Sequence, residues 1–267
     1  AAPGATTSTS TTVAPTSTTS ATTSTTSTTS TTSTAPATAT AARKPARKVK
    51  QASLPNIARK QALLIGINQY ADGRIPDLQS AVPDAQAVRT LLEDGLGYET
   101  QVLQDASKES IVRALNQIAL DSDANDSVMI YYAGHGEVVP ANAMGYWLPA
   151  DAKADEPQSW LSNADIARLI ALIGARQTLL ISDSCYSGTL AGSDKISVDG
   201  QAKAEDLLSR KAVVIMASGG NEPVADTGKN GHSVFAWHLM QRLQDLPDWQ
   251  IGAKVFERIR FAVAREF

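Results

Sequence analysis

The chain has 267 residues, 43% of them hydrophobic, a formal net charge of −3 and a single cysteine, Cys185. One thiol excludes an intramolecular disulfide and any zinc site built on two thiolates, and the lack of an 18-residue apolar run excludes a membrane-spanning helix. The small net charge hides an asymmetry: the first sixty residues carry seven Lys and Arg and no acid, and the rest carries 17 basic against 27 acidic residues.

Residues 1–40 are almost entirely Thr, Ser, Ala and Pro, 27 of them Thr or Ser. Such a segment has no large apolar side chains to offset the entropy of ordering its backbone, so it reads as a disordered, O-glycosylatable stalk. Arg43, Lys44, Arg47, Lys48, Lys50, Arg59 and Lys60 then form a basic arm. It reads as a solvated linker open to tryptic cleavage rather than a nucleic-acid or membrane contact, and no nucleic-acid partner is expected. The division that follows is stalk and linker over 1–58 and one α/β domain over 59–267, long enough for a substantial core. The opening "AAPG", with no initiator Met, reads as a mature start after removal of a signal peptide, hence a periplasmic or secreted location; a cytoplasmic sequence begun at an arbitrary point would look the same. The final "VFERIRFAVAREF" stops inside a helical pattern without a cap, so the chain is expected to continue.

From residue 61, short apolar runs alternate with helical periodicity. Strands are expected at 61–67, 100–105, 127–134, 145–151, 177–183 and 211–219. Helices are expected at 81–97, with Pro83 in its first turn and the Gly95/Gly97 pair at its exit, and at 108–120, capped by Ser107. Further helices are expected at 163–174, opened by a Ser162–Asp165 capping box, at roughly 232–244 and at 252–266. This alternation implies βαβ crossovers and a mostly parallel sheet of about six strands with helices on both faces. In such sheets chemistry gathers at the carboxyl ends of the strands.

Two strand ends carry reactive side chains. "SVMIYYAG" runs into "HGE", setting His135 between Gly134 and Gly136, and "QTLLISD" runs into "SCYSG", setting Cys185 just past the strand. A thiol and an imidazole at one sheet edge can make a thiolate and shuttle a proton, and Gly188 permits a tight exit behind the nucleophile. No G-x-S-x-G elbow is present, so Ser184 and Ser187 are poor nucleophiles. "AGHGEVV" lacks the third glycine of a dinucleotide loop, and no phosphate-binding G-x-x-x-x-G-K-[ST] occurs. "HGE" matches half of a zinc deaminase signature, but the two downstream cysteines that chemistry needs do not exist.

An "AGHG" strand end fifty residues before "DSCYSG" resembles the caspase–metacaspase clan of cysteine peptidases. The likeness covers about residues 60–267, with "ALLIGINQY" similar to the opening strand and "ASGGNEPVAD…GHSVFAWHLM" similar to the start of the small-subunit region. Asp183-Ser184-Cys185-Tyr186-Ser187-Gly188 departs from the animal caspase signature and is similar to metacaspases and their bacterial relatives, the orthocaspases. The resemblance implies a caspase-hemoglobinase-like fold and a peptidase dyad. Cys185 would attack the scissile carbonyl and His135 protonate the leaving amine, with the N–H groups of Gly136 and Cys185 as oxyanion donors and no metal or cofactor in the bond-breaking step. Metacaspases frequently need calcium; Asp194, Asp199, Glu205 and Asp206 are too sparse to predict a site, and calcium stays open.

Substrate preference follows from charge. No Arg or Lys stands beside Cys185, whereas Asp183 lies two residues before it, on the same side by strand alternation. By resemblance Asp84 and Asp226 add carboxylates, and such a pocket would take protein or peptide substrates with Arg or Lys at P1. Asp183 as a cap for nearby N–H groups and Asp84 as an ordinary first-turn acid are the plainer alternatives. Ser184 and Tyr186 are placed in the cleft. His232 reads as a loop or cap-region residue, His238 as surface or packing, and Tyr131, Tyr132, Trp147 and Trp237 as core. The basic arm and "SRK" at 209–211 offer sites for self-processing. The rival readings are a catalytically silent caspase-like scaffold or signalling module, and a structural cell-surface protein displayed on the stalk.

Overall fold

Five of the six expected strands pair into one sheet, and the register of that pairing sets up everything that follows. The computed structural model describes residues 57–139, 141, 143–185, 212–218, 228–245, 252–263 and 265. The expected stalk and the arm through Lys50 lie outside the described residues, as do Tyr186, Ser187, Gly188, Asp194, Asp199, Glu205, Asp206, residues 209–211 and Asp226. In chain order the strands are β1 (Arg59–Gly66), β2 (Glu99–Gln104), β3 (Asp126–Ala133), β4 (Gly136–Val139), β5 (Met144–Trp147), β6 (Leu161–Ser162), β7 (Gln177–Asp183) and β8 (Ala212–Ala217). The helices are α1 (Ala81–Leu96), α2 (Lys108–Asp121), α3 (Asn163–Leu172), α4 (Val234–Gln244) and α5 (Gly252–Val263).

The main sheet runs β2-β1-β3-β7-β8 with every neighbouring pair parallel. β3 is buried along its whole length because both faces are covered. Ile130 and Tyr132 face a core with Ile111 and Leu115 of α2 and Ile166 and Ile170 of α3. Met129 and Tyr131 face the opposite core with Val88 and Leu92 of α1, Phe235 and Leu239 of α4 and Ile259 of α5. The expected α/β architecture holds, with one correction to the strand count. Residues 145–151 do not join the main sheet. Their first part is β5, the centre of a separate antiparallel ribbon β4-β5-β6, and the main sheet has five strands among the described residues.

The expected caps form. Ser107 accepts from the N–H of Ser110, Ser162 accepts from Asp165, and Gly97 closes α1 in the left-handed region at φ 68°. α3 stops at Leu172 rather than 174, and α5 at Val263 rather than 266. No described helix is long and apolar enough to cross a membrane.

Arg59 and Lys60, counted above with the arm as self-processing sites, belong to the sheet. The Arg59 guanidinium donates to Asp126 Oδ2 at 3.0 Å and to the Asp121 carbonyl at 2.5 Å, and Lys60 Nζ donates to the Leu96 carbonyl at 2.9 Å. Strand pairing and these bonds hold both residues in the sheet, and a protease would have to break them to cleave there.

Candidate active site

Ala133 and Asp183 are paired in register at the ends of β3 and β7. His135 and Cys185 each lie two residues beyond that pair, so parallel pairing delivers both to one sheet edge. The Gly134 N–H reaches back to the Asp183 carbonyl at 3.3 Å. One step on, Gly136 meets the Cys185 backbone so closely that a Cβ there would stand 2.0 Å from the Cys185 carbonyl oxygen and 3.1 Å from its carbon. Only a residue without a side chain fits. Cys185 itself is half-buried.

His135 is held from several sides. Its N–H donates to the Tyr70 hydroxyl at 2.8 Å, and its carbonyl accepts from the Leu148 N–H at 3.0 Å and the Tyr132 hydroxyl at 2.8 Å. The Tyr70 ring tilts against the imidazole, centroids 5.1 Å apart. Nε2 lies 2.8 Å from the Pro76 carbonyl oxygen. A carbonyl can only accept, so the neutral ring carries its proton on Nε2 and keeps the Nδ1 lone pair for chemistry.

Below Cys185, hydroxyls brace the turn. Trp147 Nε1 donates to Ser182 Oγ at 2.9 Å, and Ser182 Oγ lies 3.0 Å from Ser184 Oγ. Trp147 also stacks on Tyr132 with centroids 4.2 Å apart. Ser184, expected in the cleft, is therefore corrected to a buried position beneath Cys185, 2% exposed. Strand alternation turns it to the same layer as Ser182, away from solvent. Tyr131, Tyr132 and Trp147 are core, as expected.

Asp84 and Asp183 come together, on opposite sides of Ser233. Ser233 Oγ donates to Asp183 Oδ2 at 2.5 Å, the Ser233 N–H donates to Asp84 Oδ2 at 3.1 Å, and His232 Nδ1 lies 2.6 Å from Asp84 Oδ1. Both carboxylates are buried, Asp84 wholly and Asp183 at 5% exposure. Asp84 is thus more than a first-turn acid: its side chain crosses from α1 to the start of α4.

Burial pushes the Asp84 carboxyl above its ordinary value, against the opposing pull of its bonds to Ser233 and His232. A raised acid contributes stability that is fully present below the unfolded value near 3.8 and lost as pH rises through the folded value. In urea unfolding from pH 4 to 7, wild type should therefore lose stability relative to Asp84→Asn as pH rises; a gap that is constant or moves the other way refutes the assignment. Burial, with the negative field of Asp183 and Asp84, likewise holds the Tyr131 phenol well above its usual range.

Three contributors are not anticipated by the sequence, the Pro76 carbonyl, Tyr70 and Ser233; His232 is in the cap region as expected, directly before Ser233, but its contact with Asp84 is not anticipated. Tyr70 lies in the quoted "GINQY", and Ser233 carries an N-cap signal because it accepts from the Ala236 N–H at 2.9 Å. A backbone carbonyl leaves no mark in a sequence. Among the described residues no three His, Cys, Asp or Glu side chains converge to hold a metal ion.

The solved structures agree with this architecture. Caspase-1 of Spodoptera frugiperda superposes with a TM-score of 0.60 at 15% identity, covering 85% of each chain. A Geobacter sulfurreducens protein superposes with a TM-score of 0.55 at 17% identity, covering 78% of this chain and 89% of its own. In sequence the chain is 27% identical to Metacaspase-1A of Neurospora crassa over 197 residues, 67% of this chain and 43% of that protein. It is 29% identical to Metacaspase-4 of Arabidopsis thaliana over 163 residues, 55% of this chain and 38% of that protein. The chain thus spans less than half the length of these curated relatives. The model of the caspase domain matches residues 59–266, which takes in the whole sheet and both strand ends; the chain belongs to the caspase domain family.

Proposed function

We propose that the domain is a cysteine endopeptidase acting through His135 and Cys185 on protein or peptide substrates with Arg or Lys at P1. The observation that carries the dyad is the Ala133–Asp183 register, with Gly136 pressed against the Cys185 carbonyl. In the reaction the Cys185 thiolate attacks the scissile carbonyl carbon, and the oxyanion is held by the Gly136 and Cys185 N–H groups. His135 Nδ1 takes the proton that leaves the Cys185 thiol and gives it to the amine as the C–N bond breaks; water, giving a proton to the same Nδ1, then hydrolyses the thioester and the proton returns to the Cys185 sulfur. Losing one oxyanion donor typically costs about 3 kcal/mol of transition-state stabilisation.

Basic P1 preference is supported by two carboxylates at the same sheet edge, Asp183 and Asp84, linked through Ser233. Charge-assisted bonds from a guanidinium suit such a pair. A fluorogenic peptide set varied at P1 is expected to show cleavage after Arg and Lys and none after Asp; preference for Asp would overturn the reading. Fast, pH-dependent alkylation of Cys185 by iodoacetamide is the matching test against a silent scaffold, whose thiol would react like a free one. Self-processing belongs to the same reading, at 43–50 or 209–211 now that Arg59 and Lys60 are held in β1. Wild type incubated beside Cys185→Ala should alone yield fragments, with and without added calcium.

A further inference from the structure

The segment that brings His232 to Asp84 is built as a tight turn. Asn230 and Gly231 both have positive φ, 55° and 81°, and the His232 N–H closes onto the Lys229 carbonyl at 3.1 Å. Two positive φ values in succession mark a primed turn, which Asn-Gly adopts at low cost. The Gly228 N–H bonds the His232 carbonyl at 2.8 Å, and a Cβ on Gly228 would stand 2.7 Å from the Val234 nitrogen. The turn is thus packed against the start of α4. His232 leaves it just before the Ser233 cap and keeps 21% of its side chain exposed, while the carboxylate it touches is 1% exposed.

The partners of the acid pair differ in how they are held. Ser233 binds Asp84 through its backbone N–H and binds Asp183 through a hydroxyl that also caps α4, so neither bond can open without disturbing the helix. His232 binds through a side chain that stays partly exposed over the buried Asp84. Its N–H occupies the Asp84 oxygen that a ligand donor would need, and rotation about its side-chain bonds would free that oxygen without breaking the turn.

We propose that His232 is a specificity-determining residue of this pocket: its imidazole stands on Asp84 where a basic P1 side chain would bind, and substrate must displace it. The inference rests on the basic-P1 reading above. An internal occupant reduces apparent affinity by the fraction of molecules in which the pocket is open. It also discriminates, because a P1 group with weak donors cannot compete with an imidazole for a buried carboxylate, whereas a guanidinium brings charge and several donors.

The test uses matched fluorogenic peptides with Arg or its neutral isostere citrulline at P1, on wild type, His232→Ala and His232→Gln. For the Arg peptide, His232→Ala is expected to lower KM about five-fold or more, with a smaller change in kcat. His232→Gln, which keeps a donor on a flexible stem, should fall between. Should thermal unfolding show that His232→Ala does not fold, the same comparison is read from His232→Gln. Wild type that prefers Arg over citrulline, with KM unchanged or raised in the folded variants, overturns the role of His232 and leaves the basic-P1 reading standing. Wild type with no preference for Arg over citrulline removes both.

Discussion

His135→Ala is expected to lower kcat/KM about 10²–10⁴-fold, the usual worth of a positioned acid–base group, and to slow alkylation of Cys185. The fold should survive. Every backbone bond at residue 135, from its N–H to Tyr70 and to its carbonyl from Leu148 and Tyr132, is independent of the imidazole. Thermal unfolding close to wild type, beside near-complete loss of turnover, is the signature of a lost proton carrier. The geometry also limits how the residue acts. With Nε2 committed to the Pro76 carbonyl, proton exchange runs through Nδ1, so shifting the 68–79 loop would impair turnover by turning the ring. Activity retained in His135→Ala would remove the dyad.

Gly136→Ala carries the other large effect, and it works through backbone. An added methyl would stand 2.0 Å from the Cys185 oxygen and 3.3 Å from Ser184 Cβ, so either the nucleophile turn or β4 must move. Ser184 cannot give way freely, because its hydroxyl is tied through Ser182 to Trp147. Displacing a nucleophile by about 1 Å typically costs 10²-fold in rate, and a loss of at least that size is expected, with KM less affected. Circular dichroism should show the parallel sheet intact, since the clash lies beyond its last paired residues. A variant with wild-type kcat would mean that this close approach does not persist in solution.

Legibility followed the range of each interaction. β3 could be read because burial along its whole length writes a continuous apolar run, β7 because it is largely buried and carries the run Leu179–Ile181, and the caps at Ser107 and Ser162 because the bond closes within three residues. The ribbon β4-β5-β6 was hidden. "GEVV" is too short to carry a period, and β5 alternates buried and half-buried like any sheet strand, so nothing local tells which sheet it joins. That His135 and Cys185 reach one sheet edge could be anticipated because both follow neighbouring strands of one parallel sheet. The contacts that orient them could not. Pro76 meets His135 across 59 residues and His232 meets Asp84 across 148, through bonds that depend on how α1, α4 and the 68–79 loop pack. Ser184 is a related case: it adjoins Cys185 in sequence, yet alternation sends it to the opposite layer, 2% exposed.

Ser182 and Asp183 share one peptide bond yet report to different layers of the molecule. The first braces the ribbon through Trp147, and the second joins the start of α4 through Ser233. One strand end thus separates the hydrogen bonds beneath Cys185 from those that surround the acid pair. Substitutions on the α1–α4 side can therefore rework the surroundings of the acid pair while leaving the hydrogen bonds beneath Cys185 untouched.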